Sequence, residues 1–407
     1  MHGMKRHPKE SHDMSDPAGS KPLGVPGGLT VDIVQSFGEL KAYASRWDEL
    51  AFAAPQQQPM LSHAWISSYL QHRLNPGEQW CCLFACHGSR LVGVLPLLIS
   101  RRSTWGIGYT LFRTPSDDHT ISVDAIVAPG EDAAIVESMI ASLTRVTSAR
   151  YVVELLRLPS SSPTLAVMRR GPKQNYTVMG SAGVGSYLPT TGSFEEFRAS
   201  LSGSFRRTLN RAAKKLDLMK DLRAEFLIGK DATAEGLDRF AKIEALSWKG
   251  RAGSAIMQTE ALLDFYRTLT SRLAERDWLE WQFLIAEGRT IAGIMAIRCG
   301  RSLMLWKIGY DEAYKDYSPG ALLLEQVVRR ACESSHIDEI NLVTDMDWYD
   351  LWRAGKREHY DVWVYSRNPL NLLTGVLPRR LRLWLRRVPV LRTAVQRVRR
   401  LTGRDKA

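Results

Sequence analysis

The stretch from Ser302 to Glu333, SLMLWKIGYDEAYKDYSPGALLLEQVVRRACE, admits few folds. Leu303 to Tyr310 is an apolar, aromatic run of strand length, whereas Leu322, Leu323, Gln326, Val327 and Ala331 recur at helical spacing. The chain therefore passes from a buried strand through a short loop into an amphipathic helix, with Ser318, Pro319 and Gly320 at the turn. Proline in the first turn removes no donor that the helix needs, and glycine lets backbone approach a ligand closely. The first N–H groups of a helix lack partners within it and the dipole is positive there, so such a junction can hold a phosphate. The same three residues also serve as a plain helix cap.

One order of elements occurs twice along the chain. Residues 1–28 are polar and rich in Gly, Pro and charge, a composition that predicts disorder. A first unit, 29–185, should hold a strand at 30–34, helices over 37–53 and 64–74, a hairpin turning at Gly88-Ser89, a strand over 120–127, a helix over 133–147 and a buried strand at 151–158. Trp47 and Leu50 face inward, and the Ser/Pro/Gly-rich passage 159–185 reads as a connection. A second unit, 186–367, starts with a basic helix and the strand AEFLIG, then helices over 232–248 and 259–275. The hairpin strands WQFLIAE and IAGIMAIRC, the strand–loop–helix junction, and the strands DEINLV and WVYS complete it. The expected class is α/β, two tandem units of mixed sheet flanked by helices; 407 residues and 44% apolar content suffice for two cores.

The phrase GYDEAYKDYSPGALLLEQVVRRA, followed by EIN and WYDLW, resembles the GNAT-fold acyltransferases of the CelD type, which are associated with cellulose or exopolysaccharide synthesis and related to the FemAB-like aminoacyltransferases. LSGSFRRTLNRAAKKL is similar to that family's basic helix, EALSWKGRAG to its SWKG element, and GRTIAG to the turn of its central hairpin. The resemblance spans about residues 190–365 and continues more weakly toward residue 30. It implies two GNAT-like units, acetyl-CoA or another acyl-CoA as donor, no metal, and a sugar or amino-sugar acceptor. It also leaves open a non-catalytic scaffold for a membrane synthase, and a FemAB-like aminoacyl transfer that would need a coiled coil for which the sequence has no heptad insertion. Where the family often carries Tyr-Lys before a Trp, this chain has Tyr349-Asp350 before Trp352, so no lysine role transfers there.

Acyl transfer from a thioester to an amine needs a site for pantetheine and pyrophosphate, a donor for the developing oxyanion and a group to take the amine's proton. The resemblance implies that the backbone of Trp306, Lys307, Ile308 and Gly309 faces pantetheine and polarises the thioester. The loop of Tyr317, Ser318, Pro319, Gly320 and Ala321 would then receive the pyrophosphate on the amides of Ser318, Gly320 and Ala321. Asp345, Asp347 and Tyr349 follow a strand expected at the sheet centre, where side chains reach a cleft. By resemblance Tyr349 protonates the leaving thiolate, with Asp345, ahead of Asp347, as base. Equally, Trp348, Tyr349 and Trp352 could simply pack a helix start capped by aspartate. Arg207 and Arg211, four apart on one helix face, would meet an anionic acceptor or the coenzyme's phosphates, or form a solvated face. Trp248, a turn from Glu244, would wall a sugar or acyl site or close a core helix. Asp118, with Asp117 and His119, would line an acceptor cleft or make a polar turn.

The net charge of +12 is concentrated at one end: residues 378–407 hold ten Arg and one Lys against one Asp, or +10, leaving +2 elsewhere. There Leu381, Trp384, Leu385 and Val388 share a helical face, a composition suited either to an anionic membrane surface or to packing on the parent domain. No aromatic stacking platform accompanies the arginines, so nucleic acid is not an expected partner. Five cysteines without paired spacing argue against zinc and for a reducing compartment. No apolar run reaches the roughly 18 residues of a membrane span and the N-terminus has no apolar h-region, so the expected location is cytoplasmic, at most peripheral at the membrane's inner face. GxSxG, HExxH, Walker and GxGxxG motifs are missing, which removes the footholds for hydrolase, metalloprotease and NTPase chemistry. Oligomeric state is not legible.

Overall fold

The computed structural model describes residues 28–387, except 132, 133, 173, 234, 248, 249, 251, 252 and 254. The expected disorder at 1–27 and the tail beyond 387 fall outside the described residues. In chain order the strands are β1 (Leu29–Val34), β2 (Gln79–His87), β3 (Arg90–Thr104), β4 (Ile107–Arg113), β5 (Ile126–Val127), β6 (Tyr151–Pro159), β7 (Asn175–Pro189), β8 (Arg223–Ile228), β9 (Leu279–Ala286), β10 (Arg289–Cys299), β11 (Ser302–Tyr310), β12 (Glu339–Asn341) and β13 (Gly355–Ser366). All belong to one sheet ordered β1-β2-β3-β4-β6-β13-β7-β12-β11-β10-β9-β8, with β5 paired to β3.

That order reads alike from either edge. Antiparallel neighbours come first, then one parallel pair, β4 with β6 on one side and β11 with β12 on the other, then the antiparallel centre of β13 and β7. The expected mixed sheets in two tandem GNAT-like units are present, but they are joined by an exchange. β7, which follows the first half in sequence, pairs with β12 of the second, and β13 pairs with β6 of the first. The division at 185/186 falls inside β7.

The passage 159–185 is no connection: it contains the helix Pro163–Arg170, capped by Ser162, and most of β7. Its glycines mark close packing. A Cβ at Gly185 would lie 2.8 Å from both His359 Cε1 and Val343 O, and one at Gly180 2.8 Å from Leu383. At the centre of a sheet glycine makes room for a neighbour, and composition alone cannot tell this from a loop. Elsewhere the differences are smaller. Residues 37–53 form two helices, Phe37–Lys41 and Ala44–Ala53, with Trp47 and Leu50 buried as expected. Of 120–127 only β5 pairs, and the helix over 133–147 is Ile135–Ala141 followed by a tighter turn, Ser142–Arg145.

One apolar cluster runs through both halves, with Trp47, Trp65, Phe265 and Trp281 among its members. The helices His63–His72 and Glu260–Ala274, one from each half, pack together in it, and the Trp65 and Phe265 rings meet edge-on at 6.4 Å. A second cluster lies under the helices Gly203–Leu216 and Pro319–Glu333. The halves therefore share a core, and the candidate site sits where they meet.

Candidate active site

β11 and β12 are paired only from Ser302 to Met304. Beyond that point β11 continues to Tyr310, while the other strand turns aside at Val343, whose φ is +67°. Thr344 N–H donates to Leu342 O at 2.7 Å across this turn, and Val343 N–H donates to Asn341 Oδ1 at 2.8 Å. Positive φ is costly for a β-branched residue, and a hydrogen-bonded three-residue turn of this hand is rare. Beyond Met304 and Asn341 the two parallel strands are unpaired, which leaves a gap in the ladder beside the edge of β11.

A bulge sets the side chains along that edge. Leu305 pairs with Ala296 and Lys307 with Met295, so Trp306 is the extra residue. Leu303 and Leu305 enter one core cluster while Met304 and Trp306 enter the other. Simple alternation would send Lys307 after Leu305. The extra residue sends it after Trp306 instead, and its ammonium reaches Glu244 Oε1 at 3.0 Å and lies 5.3 Å from the Tyr266 ring centre. Ile308 and Tyr310 then rejoin the cluster of Leu303 and Leu305. Trp306 and Lys307, expected to act through backbone, thus contribute side chains, and Gly309 is small because a Cβ there would lie 3.2 Å from Glu244 Cα.

The first half closes this cluster. Trp306 Nε1 donates to Tyr266 OH at 3.1 Å, and His119 Nδ1 lies 3.1 Å from the same oxygen. An indole nitrogen only donates, and the hydroxyl proton of a fully buried tyrosine needs an acceptor. His119 Nδ1 is that acceptor, so the ring carries its proton on Nε2. Burial and then the Lys307 ammonium push the His119 pKa down to about 4, and burial pushes the Tyr266 phenol up. Asp117 holds the loop, accepting from His119 N–H at 2.8 Å and pairing with Arg73 at 2.8 Å. Asp118 is exposed, so His119 is the member of that segment that faces inward. Trp248 lies outside the described residues. Tyr266 was missed because a tyrosine at helical spacing reads as core, which it also is.

His119 is expected to stay neutral, protonated on Nε2, down to about pH 4, as read from ring nitrogen shifts in a labelled sample. Titration near its ordinary 6.5 would contradict the Trp306–Tyr266–His119 chain. An unfolded chain takes up this proton at the ordinary value and the native one does not. The histidine therefore makes stability fall as pH drops from about 6.5 toward 4.

At the far side of the gap, Asp345 accepts from Ser186 Oγ at 2.7 Å and pairs with Lys356, which also reaches Asp350 Oδ1 at 2.8 Å. Lys356 and then Ser186 hold the Asp345 carboxyl below its usual range, which weakens it as a base. Asp347 is exposed and in no ion pair among the described residues. Tyr349 is 5% exposed, and burial, followed by the Asp345 charge, pushes its phenol up to about 12. It remains a proton donor at neutral pH. The ammonium that the sequence lacks at position 350 arrives from β13 as Lys356.

In the loop, Ser318 adopts φ 51° and ψ 46° and the helix begins at Pro319. Ser318 N–H donates to Lys315 O and Ala321 N–H to Ser318 O, so two of the three amides expected to bind pyrophosphate are used by the turn itself. The Gly320 N–H makes no hydrogen bond among the described residues, and a Cβ at Gly320 would find only Tyr310, at 3.6 Å. Tyr317 is half-buried beside Tyr314, their ring centres 6.3 Å apart. The Gly203–Leu216 helix packs on both the Glu312–Tyr317 turn and the Pro319–Glu333 helix, which brings the exposed Arg207 and Arg211 to the neighbourhood of the loop. Neither arginine is in an ion pair among the described residues. No group of three His, Cys, Asp or Glu side chains there is placed to hold a metal ion.

Residues 203–360 match the family described as acetyltransferase (GNAT) domain. The chain carries a GNAT acetyltransferase domain. The match supports an acyltransferase. No curated protein matches the sequence. The structure of FemX superposes with a TM-score of 0.57 at 12% identity, covering 84% of this chain and 99% of that one. The C-terminal domain of an Agrobacterium fabrum protein described as a lysylphosphatidylglycerol synthetase gives 0.51 at 8% identity, covering 83% and 96%. At such identities the likeness is one of fold. The matched GNAT domain spans β8 to the first half of β13, so β7, the strand that completes its sheet beside β12, lies outside the match.

Proposed function

We propose that this protein transfers an acyl group, acetyl in the first instance, from acyl-CoA to a hydroxyl or amine of a sugar-type acceptor, in the cellulose or exopolysaccharide synthesis with which CelD-type proteins are associated. The observation that carries the reading is the splay of β11 from β12, with the Gly320 amide and the basic helix at one end and Tyr349 at its side. Pantetheine runs along β11, the pyrophosphate meets Gly320, and Arg207 and Arg211 face the coenzyme's phosphates. The acceptor attacks the thioester carbon, and the C–S bond breaks as Tyr349 gives its proton to the departing thiolate. Asp347 takes the acceptor's proton more readily than Asp345, which Lys356 already occupies. Trp306 and His119, both half-buried, combine an apolar ring face with a polar donor over the fully buried Trp65, a lining suited to a sugar. A polysaccharide precursor of this kind is met at the inner face of the cytoplasmic membrane.

Calorimetric titration with acetyl-CoA and with free coenzyme A tests the donor. Saturable micromolar binding is expected, and Gly320→Trp should abolish it while the melting temperature stays close to that of the parent, because the site around Gly320 is open. Absence of binding by either ligand, or unchanged affinity in the variant, would overturn the reading.

A further inference from the structure

The chain after β13 forms the short helix Pro369–Asn371, a wide turn at Leu372–Val376 and the helix Leu377–Arg387. Its inward side mixes apolar and polar contacts, with Val376, Leu372 and Leu383 packed on the Trp363 and Tyr365 cluster. Asn371 Nδ2 donates to Tyr151 O and Ser366 O, at 3.2 and 3.0 Å. Arg379 donates to Tyr365 OH at 2.8 Å and lies 4.0 Å over the Trp363 ring, and Arg380 reaches Thr177 O at 3.3 Å. Leu383 fills the space that Gly180 leaves. The segment is thereby fixed to β13 and β7, the centre of the sheet.

The outward side is apolar. Leu370, Leu373, Leu377, Leu381, Trp384 and Leu385 are 41, 58, 48, 56, 59 and 38% exposed, and they follow one another three or four residues apart, closing on an adjacent pair. A helix that served only to pack on its own domain would bury leucine and tryptophan and leave arginine in water. Here Leu372, Val376 and Leu383 already pack inward and Arg379 is held against the sheet beside them, so the row of leucines with Trp384 that faces out is left without a place in the domain's own core. The stripe opens a stretch of sequence that carries +10 between 378 and 407. No helix among the described residues is long and apolar enough to cross a membrane.

We propose that this stripe lies in the interfacial layer of an anionic bilayer, its leucines and Trp384 among the acyl chains and the arginines of the tail on lipid phosphates. Because the helix is tied to β13 and β7, docking holds the whole sheet in one orientation at the membrane. This deepens the membrane-face element of the proposed function but does not depend on acyl transfer.

Co-sedimentation of the full chain with vesicles of phosphatidylcholine, with and without phosphatidylglycerol, tests it, beside the double variant Leu381→Glu/Trp384→Glu. The parent should bind the anionic vesicles, less so as salt is raised, and the variant about tenfold more weakly or worse. The variant's melting temperature should match the parent's, since both positions are exposed. Equal binding by parent and variant, or no preference for anionic over neutral lipid, would overturn the proposal. So would light scattering that shows a dimer, broken by the variant, with no vesicle binding. Acetyl-CoA titration on the same samples keeps a failure of the donor site apart from a failure of docking.

Discussion

Lys307→Met is expected to lower the free energy of unfolding by about 3–5 kcal/mol, because it removes the ammonium that neutralises a fully buried carboxylate while leaving that carboxylate in place. Glu244 is 0% and Lys307 8% exposed, and Glu244 Oε2 also accepts from Ile256 N–H at 2.8 Å, so the acid cannot swing out to water without releasing backbone. The double variant Glu244→Gln/Lys307→Met should recover much of the loss, since a neutral amide keeps a hydrogen-bonding oxygen at no charge. Urea unfolding of the two variants and the parent measures both effects. A loss below about 1 kcal/mol for Lys307→Met would mean that water reaches Glu244, and that the pair is placed for the acceptor more than for the core.

Tyr349→Phe should reduce kcat by about 10²-fold or more with little change in KM for acetyl-CoA, the scale of losing a general acid. The ring is buried against Trp348 at 4.1 Å, and phenylalanine preserves that packing, so the melting temperature should hold. With the phenol pushed up to about 12, the parent's rate should not fall from loss of this proton anywhere between pH 6 and 10. A kcat within about threefold of the parent would assign thiolate protonation to solvent and leave Tyr349 a packing residue.

Much of the junction was readable without coordinates. The run Leu303 to Tyr310, the proline and glycine at 319 and 320, and the helical spacing from Leu322 to Ala331 are relations between near neighbours, and they became β11, the loop and the Pro319–Glu333 helix. The hairpins at Gly88 and Gly288 were legible for the same reason. β7 was not, because its glycines answer to His359, Val343 and Leu383, which lie far along the chain. Nor was the use of the loop amides, since peptide groups at 318 and 321 bond within the turn in a way that residue types do not announce.

Segment type, the apolar face of each helix, the chemistry of the turns and the concentration of positive charge at the C-terminal end all belong to the chain alone, because each depends on spacing over a few residues. The exchange of β7 and β13, the gap between β11 and β12, and the company that side chains keep belong to the assembled sheet. His119 meets Tyr266 from 147 positions away, and Lys356 meets Ser186 from 170. Lys307 turns to Glu244 through one extra residue in a ladder that exists only when β10 and β11 are paired. Contacts of that kind follow from strand order and register, which short-range spacing does not encode.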